Sequence, residues 1–358
     1  MHEEHIDFMK RCIQLAKLGA GHVSPNPMVG AVLVHNNNII GEGYHKKYGE
    51  AHAEVNCINS VKHANKNLIR ESVLYVSLEP CAHYGKTPPC TDLIIQNKIP
   101  KVIIGCKDVY TEVNGKGIEK LKQSGIDVIV GVLKNECENL NKAFFTFQSL
   151  QRSYIILKWA QTADNKIAGI GDKRLLISGK IANKLVHKWR AEATGILIGT
   201  NTAKNDNPEL TNRLWSGNSP VRLIIDLDLQ LSQSLKIFNT DAPTIIFNLQ
   251  KKSPEFPKPL KNQVYYYQIS ERNKTIEEIL KASYQLEIQS ILIEGGKKLL
   301  QSFIEKNFWN EARIITNTKM FIGNGLAAPE LTNAQLQERF SLRDDLISVY
   351  KKSRFSYN

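Results

Sequence analysis

The chain has 358 residues, 42% hydrophobic and 23% charged, which is too long for one ordinary core and too apolar for a disordered chain, so two domains are expected. The net charge of +12 would suit a nucleic-acid binder, but Lys and Arg recur singly or in pairs among acidic residues, with no basic block of five or more. An anionic small substrate accounts for the charge equally well, and no nucleic-acid partner is expected; six cysteines in so long a chain make no disulfide framework and fit a reducing compartment.

The opening segment, MHEEHIDFMKRCIQLAKLGAG, carries acids at its start and places Ile6, Met9, Ile13, Leu15 and Ala16 on a helical period, which reads as a helix and not as a signal peptide. No apolar run reaches the roughly 20 residues that span a bilayer. A cytoplasmic chain without a membrane partner is expected. Short apolar runs then alternate with helical stretches: VGAVLVHN, NIIGEGY, AHAEVNCINSVKHA, SVLYVSLEPC, TDLIIQNK, KVIIGCKD, GIEKLKQSG and IDVIVGV. That alternation implies a sheet with helices on its faces. LKNECENLNKAFFTFQSLQ reads as one helix that leads into a second series, so domains at 1–150 and 151–358 are expected.

The second series runs strand YIILKWA, helix SGKIANKLVHKWRAEA, strands GILIGT, VRLIIDLDL, PTIIFNL and QVYYYQI, helix TIEEILKASYQLE, strand SILIEGG, helix KKLLQSFIEKNF and strand EARIITNTKMF. It is a second α/β domain of about 200 residues. The basic, Pro-broken KKSPEFPKPLKNQ reads as a connection between two strands.

The chemistry concentrates in the first series. His52 and Glu54 stand at a helix start, and Pro80-Cys81 follows a strand, with Cys90 further on. His, Cys and Cys are a zinc ligand set that leaves the fourth tetrahedral position to water, and Glu54 is the carboxylate placed to shuttle protons. A lone HAE reads as a helix cap and two cysteines as a structural half-site; their joint occurrence in this order favours a catalytic zinc, with His83 the one candidate for a fourth, structural ligand. Deaminases of nucleic acids and nucleosides carry P-C-x-x-C, whereas PCAHYGKTPPC puts eight residues between the cysteines and brings His83 and Lys86 beside the metal. Both side chains suit a substrate phosphate.

VSPNPMVGAV, GEGYH, HAEV, LEPCAHYGKTPPC, LKWAQTADNKIA, WRAEATGILIGTNTAKNDNPELT and ILIEGG, in this order, resemble the bifunctional deaminase/reductase family of bacterial riboflavin biosynthesis over nearly the whole chain. The resemblance implies a cytidine-deaminase-like three-layer α/β domain followed by a dihydrofolate-reductase-like domain. It implies hydrolytic deamination of a phosphorylated aminopyrimidine, then NADPH-dependent reduction of its ribosyl group. By resemblance, His52, Cys81 and Cys90 bind Zn2+, Glu54 is catalytic, and Asn26, His45, His83, Lys86 and Asp108 contact the first substrate. In the second domain it implies substrate contacts from Arg190, Leu210, Arg213 and Glu294. Cofactor contacts fall on Lys158, Gln161, Lys173, Leu175, Thr202, Asp206, Gly295 and Gly296. A homo-oligomer is compatible with this reading.

On residue chemistry alone, Glu294 is either a buried turn acceptor or a hydroxyl-binding carboxylate, and Arg190 is able to hold a phosphate bidentately. The strand-to-helix Gly295-Gly296 is either a tight turn or a phosphate-binding one. Two departures from the family stand out. Val109-Tyr110-Thr111 follows Asp108 where the family often has Pro-Asn-Pro, and Lys173, Leu175 and Leu176 replace a Ser-x-Trp-Ile pattern, which removes an aromatic stacking surface for the cofactor.

Overall fold

The computed structural model describes residues 3–84, 88–110, 113–170 and 175–353. The chain divides into two compact units, Met1–Gln151 and Arg152–Asn358.

In the first unit the elements are α1 (Glu3–Ala16), β1 (Gly30–His35), β2 (Asn38–Tyr44), α2 (Ala53–Asn59), β3 (Val73–Leu78), α3 (Cys90–Gln96), β4 (Lys101–Cys106), α4 (Lys116–Gln123), β5 (Asp127–Val130), α5 (Lys134–Leu140) and α6 (Lys142–Leu150). The five strands lie in the order β2-β1-β3-β4-β5. β1 is antiparallel to both neighbours, while β3, β4 and β5 run parallel.

Successive side chains of a strand point to opposite faces, and the two cores follow that alternation. Leu33, Leu74, Val76, Val102 and Ile104 face α2, α3 and α4 through Cys57, Ile58, Ile94 and Leu121. Val32, Val34, Tyr75 and Ile103 face α1 and α5 through Met9, Cys12, Leu15 and Cys137. The result is a three-layer α/β/α sandwich. Gly43 is required by this packing, since a Cβ there would lie 2.2 Å from the Cys57 nitrogen and 2.5 Å from the Ala53 oxygen. Its absence lets β2 press against α2.

The single helix expected over 133–151 is two, α5 and α6, interrupted at Asn141. The buried Asn141 amide leaves the helical pattern to pair with the main chain of Met28, accepting from its N–H and donating to its C=O, each at 2.8 Å. That bond tethers the Asn26-Pro27-Met28 loop.

The second unit comprises β6 (Tyr154–Thr162), β7 (Lys166–Gly169), α7 (Lys180–Glu192), β8 (Gly195–Gly199), α8 (Thr200–Asp206), β9 (Val221–Ile225), β10 (Thr244–Asn248), β11 (Val264–Gln268), α9 (Thr275–Gln285), β12 (Ser290–Ile293), α10 (Lys297–Glu305), β13 (Glu311–Asn317), β14 (Gly325–Ala327), β15 (Ala334–Leu342) and β16 (Asp345–Lys352). Nine strands form one sheet in the order β11-β10-β9-β8-β12-β6-β13-β16-β15, and β7 pairs with β14. From β11 to β13 all neighbours run parallel; β16 and β15 add an antiparallel edge.

Ile155, Leu157, Trp159, Leu197, Ile291, Ile293, Ala312 and Ile314 bury one face under α9 and α10. The intervening side chains point the other way: Arg313, between Ala312 and Ile314, holds its guanidinium 5.0 Å from the Trp189 ring of α7. Ile196, Ile198 and Ile224 on that second face pack with Ala203 of α8 and with Leu210.

Lys158 lies in the middle of β6. Residues 210–213 are not a strand: Leu210 adopts a left-handed conformation, φ +57°, with its side chain only 2% exposed.

Candidate active sites

In the first domain the strand and helix ends bring the expected ligands together. His52 caps α2, Cys81 lies just beyond β3, and Cys90 opens α3. His52 Nδ1 is 3.6 Å from Cys81 Sγ and 3.4 Å from Cys90 Sγ, and all three ligand atoms lie within 4.8 Å of one another. A tetrahedral zinc, with Zn–S of about 2.3 Å and Zn–N of about 2.0–2.1 Å, would place nitrogen and sulfur about 3.6 Å apart, so the donor set fits that ion. The cluster has three members among the described residues, and His83 is not one of them. Its ring instead meets the Tyr110 ring edge-on, with centroids 6.1 Å apart.

The electrostatics separate the two thiols. Cys81 is lowered to about 4 by hydrogen bonding from Cys90 and His52, including the Cys90 N–H at 3.4 Å, while the Cys90 thiol is pushed up by the same partner and by burial. Glu54, in the first turn of α2 and 3% exposed, is raised by burial. A buried carboxylate that takes up a proton readily suits proton transfer.

His45 and Asn26 form a unit beside the ligands. His45 Nδ1 lies 3.1 Å from the Ala51 carbonyl, which only accepts, so Nδ1 carries the proton and Nε2 accepts from Asn26 Nδ2 at 3.1 Å. Burial lowers the His45 pKa, which keeps the ring neutral, and the ring stands 5.4 Å from that of His52. Asp108 is buried, with its carboxylate on the Tyr110 N–H at 2.8 Å. Lys86 lies outside the described residues.

Sequence reasoning missed the group that holds Asp108 in place. The Glu79 carboxylate, 4% exposed, accepts the N–H groups of Asp108, Gly115, Gly117 and Ile118 at 3.0–3.2 Å. Four amides satisfy a charge that burial would otherwise penalise. The signal was a carboxylate directly before Pro80-Cys81 at the end of an apolar strand.

In the second domain the expected residues fall into two groups. Arg190 of α7 and Glu294, just after β12, form a bidentate pair at 2.8 and 2.8 Å, and Lys158 Nζ lies 3.7 Å from the same carboxylate. The side chains are 13%, 8% and 12% exposed, so the network is nearly dry. Burial pushes Glu294 up, but the charges of Arg190 and Lys158 outweigh it and hold the carboxyl at about 2. The Arg190 fork, read from the sequence as open to a phosphate, is thus occupied by Glu294. Arg213 pairs with Glu209 and donates to Thr211 Oγ1 at 2.8 Å. Leu210 spends its side chain in the core.

Gly295 and Gly296 sit between β12 and α10, against Thr202 of α8. A Cβ on Gly295 would meet Thr202 Cγ2 at 2.8 Å, and Gly296 has φ +59°. Both glycines are thus required for the close approach of α8 to a helix N-terminus. Asp206 ends α8, and Gln161 bridges Trp159 Nε1 and Asn165 Oδ1 at 2.7 and 2.8 Å. Leu175 is half-buried, and Lys173 lies outside the described residues.

Fold and site together define a class: a metal-dependent deaminase domain joined in one chain to an α/β reductase domain. The model for the cytidine and deoxycytidylate deaminase zinc-binding region matches residues 2–106, and that for the RibD C-terminal domain matches residues 153–351. The riboflavin biosynthesis protein RibD of Aquifex aeolicus is 38% identical over 356 residues, covering 97% of this chain and 98% of that protein. The RibD of Actinobacillus pleuropneumoniae is 38% identical over 330 residues, 90% of this chain and 86% of that one. Among solved structures, a diaminohydroxyphosphoribosylaminopyrimidine deaminase/5-amino-6-(5-phosphoribosylamino)uracil reductase from Thermotoga maritima has a TM-score of 0.86 at 35% identity, covering 98% of this chain and 99% of its own. The chain belongs to the RibD family. Among the described residues, no helix is long and apolar enough to cross a membrane.

Proposed function

We propose that the chain catalyses two successive steps of riboflavin biosynthesis. The first domain hydrolyses the 2-amino group from a 2,5-diamino-6-ribosylaminopyrimidinone 5′-phosphate, and the second uses NADPH to reduce the ribosyl group of that product to ribityl. The observation that carries this reading is the triangle of His52 Nδ1, Cys81 Sγ and Cys90 Sγ beside the enclosed Glu54 carboxylate.

His52, Cys81 and Cys90 would hold zinc. When bound by three protein ligands, zinc acidifies a water at its fourth position. Glu54 takes the proton of the attacking water as the C–O bond forms at the amino-bearing ring carbon, and passes it to the ring nitrogen. It then takes the remaining hydroxyl proton of the adduct and delivers it to the amino group; the C–N bond breaks, ammonia leaves and a carbonyl remains. The neutral His45, with Asn26 on its Nε2, orients the pyrimidinone edge. His83, Lys86 and Asp108 are assigned to the ribose phosphate.

In the second domain Arg190, Arg213, Glu294 and the main chain at Leu210 are assigned to the substrate. Lys158, Gln161, Lys173, Leu175, Thr202, Asp206, Gly295 and Gly296 are assigned to NADPH, which would supply a hydride to C1′ of the opened ribosyl imine, with a proton taken up at its nitrogen. The α10 N-terminus, bare of side chains at Gly295 and Gly296, suits a cofactor phosphate. Six unpaired thiols support placement in a reducing cytoplasm.

The test is to give the purified chain the diaminopyrimidinone phosphate, first alone and then with NADPH. Ammonia release in the first phase and NADPH oxidation in the second are expected. Ammonia without NADPH oxidation would reduce the protein to a deaminase, and no ammonia would refute the proposal.

A further inference from the structure

His187 of α7 lies three residues before Arg190, on the same helix face. It is 2% exposed, and its Nδ1 accepts the Arg213 N–H at 3.0 Å. Arg190 Nη1 donates to the Thr211 carbonyl at 3.3 Å, so one turn of α7 grips the main chain at two places. The fully buried Arg222 of β9 donates to the Glu209 carbonyl at 3.5 Å. Between these anchors Leu210 keeps φ +57°, a conformation that L side chains rarely adopt and that persists only where the surroundings impose it.

An imidazole nitrogen accepts only when it carries no proton, so this grip requires a neutral ring with its hydrogen on Nε2. The surroundings enforce that state: burial, then the nearby Arg190 and Arg213 cations, lower His187 to about 4, against the opposing charge of Glu294.

We propose that His187 is a positioning residue of the reductase, a neutral acceptor that fixes the 210–213 main chain and so presents Thr211 and Arg213 to a phosphorylated substrate. The inference rests on the reading of the second domain as the reductase. His187 itself touches no reacting atom; its effect is preorganisation of the binding segment, which belongs to substrate affinity and not to the hydride step.

The experiment compares wild type, His187→Leu and His187→Asn in NADPH oxidation, with tryptophan fluorescence as the fold control. Asn places a side-chain oxygen near the position of Nδ1. His187→Leu is expected to raise KM for the pyrimidine substrate roughly tenfold, the scale of one lost buried hydrogen bond, with kcat within about threefold. His187→Asn should restore KM and keep the Arg213 amide slow in hydrogen exchange. An unchanged KM in His187→Leu, a fall in kcat alone, or a folded His187→Asn that fails to rescue would overturn the inference. If His187→Leu does not fold, the Asn variant decides by the same two readings. A wild type that oxidises no NADPH would defeat the reductase reading itself, a result separate from these.

Discussion

Glu294→Gln removes one charge from the Arg190–Glu294–Lys158 network while keeping the shape of the side chain, and leaves two cations, 13% and 12% exposed, without their carboxylate. Holding this carboxyl at about 2 instead of the ordinary 4.5 corresponds, at about 1.4 kcal/mol per factor of ten, to about 3 kcal/mol of stability. Breaking a buried ion pair from one side costs about 3–5 kcal/mol, which agrees. Because the folded value lies below the unfolded one, this stability is fully present above about pH 4.5 and is lost as the pH falls towards about 2. All four tryptophans, Trp159, Trp189, Trp215 and Trp309, lie in the second domain, so urea unfolding followed by tryptophan fluorescence reports on that domain. At pH 7 the variant should lose about 3 kcal/mol, and its stability should no longer carry the Glu294 contribution between pH 4.5 and 2. A loss under about 1 kcal/mol at pH 7 would refute the reasoning.

Glu79→Gln leaves one neutral oxygen where a carboxylate accepts four N–H groups, so the amides of Asp108, Gly115, Gly117 and Ile118 should exchange faster and the first domain should lose about 2–3 kcal/mol. Unchanged protection at those four amides would contradict the role given to it. Gly43→Ala forces a Cβ against the main chain of α2, which cannot yield as a side-chain tip would. It should cost about 1–3 kcal/mol or more and lower ammonia release by displacing Glu54; wild-type release would show that the contact relaxes harmlessly.

The metal cluster was legible in the sequence because its parts are each local: a helix-start His-Ala-Glu, a strand-end Pro-Cys, and a cysteine opening the next helix. The β/α alternation was legible for the same reason, since apolar period changes within ten residues. Pairings across the chain were not. Arg190 and Glu294 stand 104 positions apart, and each alone offers a free charge, so only the fold shows that they spend those charges on one another. His187 reads as one more helical residue until α7 is laid over the 211–213 segment. Asn141 reads as an ordinary helical residue until its amide is seen on Met28. The edge hairpin of β15 and β16 went unread because β15 is mostly exposed and Glu338 interrupts the apolar alternation of Leu336, Phe340 and Leu342.

The account stands on three zinc ligands and one proton-carrying carboxylate. It is tested most directly by measuring zinc content and ammonia release together in wild type and Glu54→Gln. The account predicts one zinc per chain in both proteins, and a rate in the variant lower by about 10²–10⁴-fold, the range of a lost general acid–base. A wild type that releases ammonia without zinc, or a variant that releases it at the wild-type rate, would contradict it.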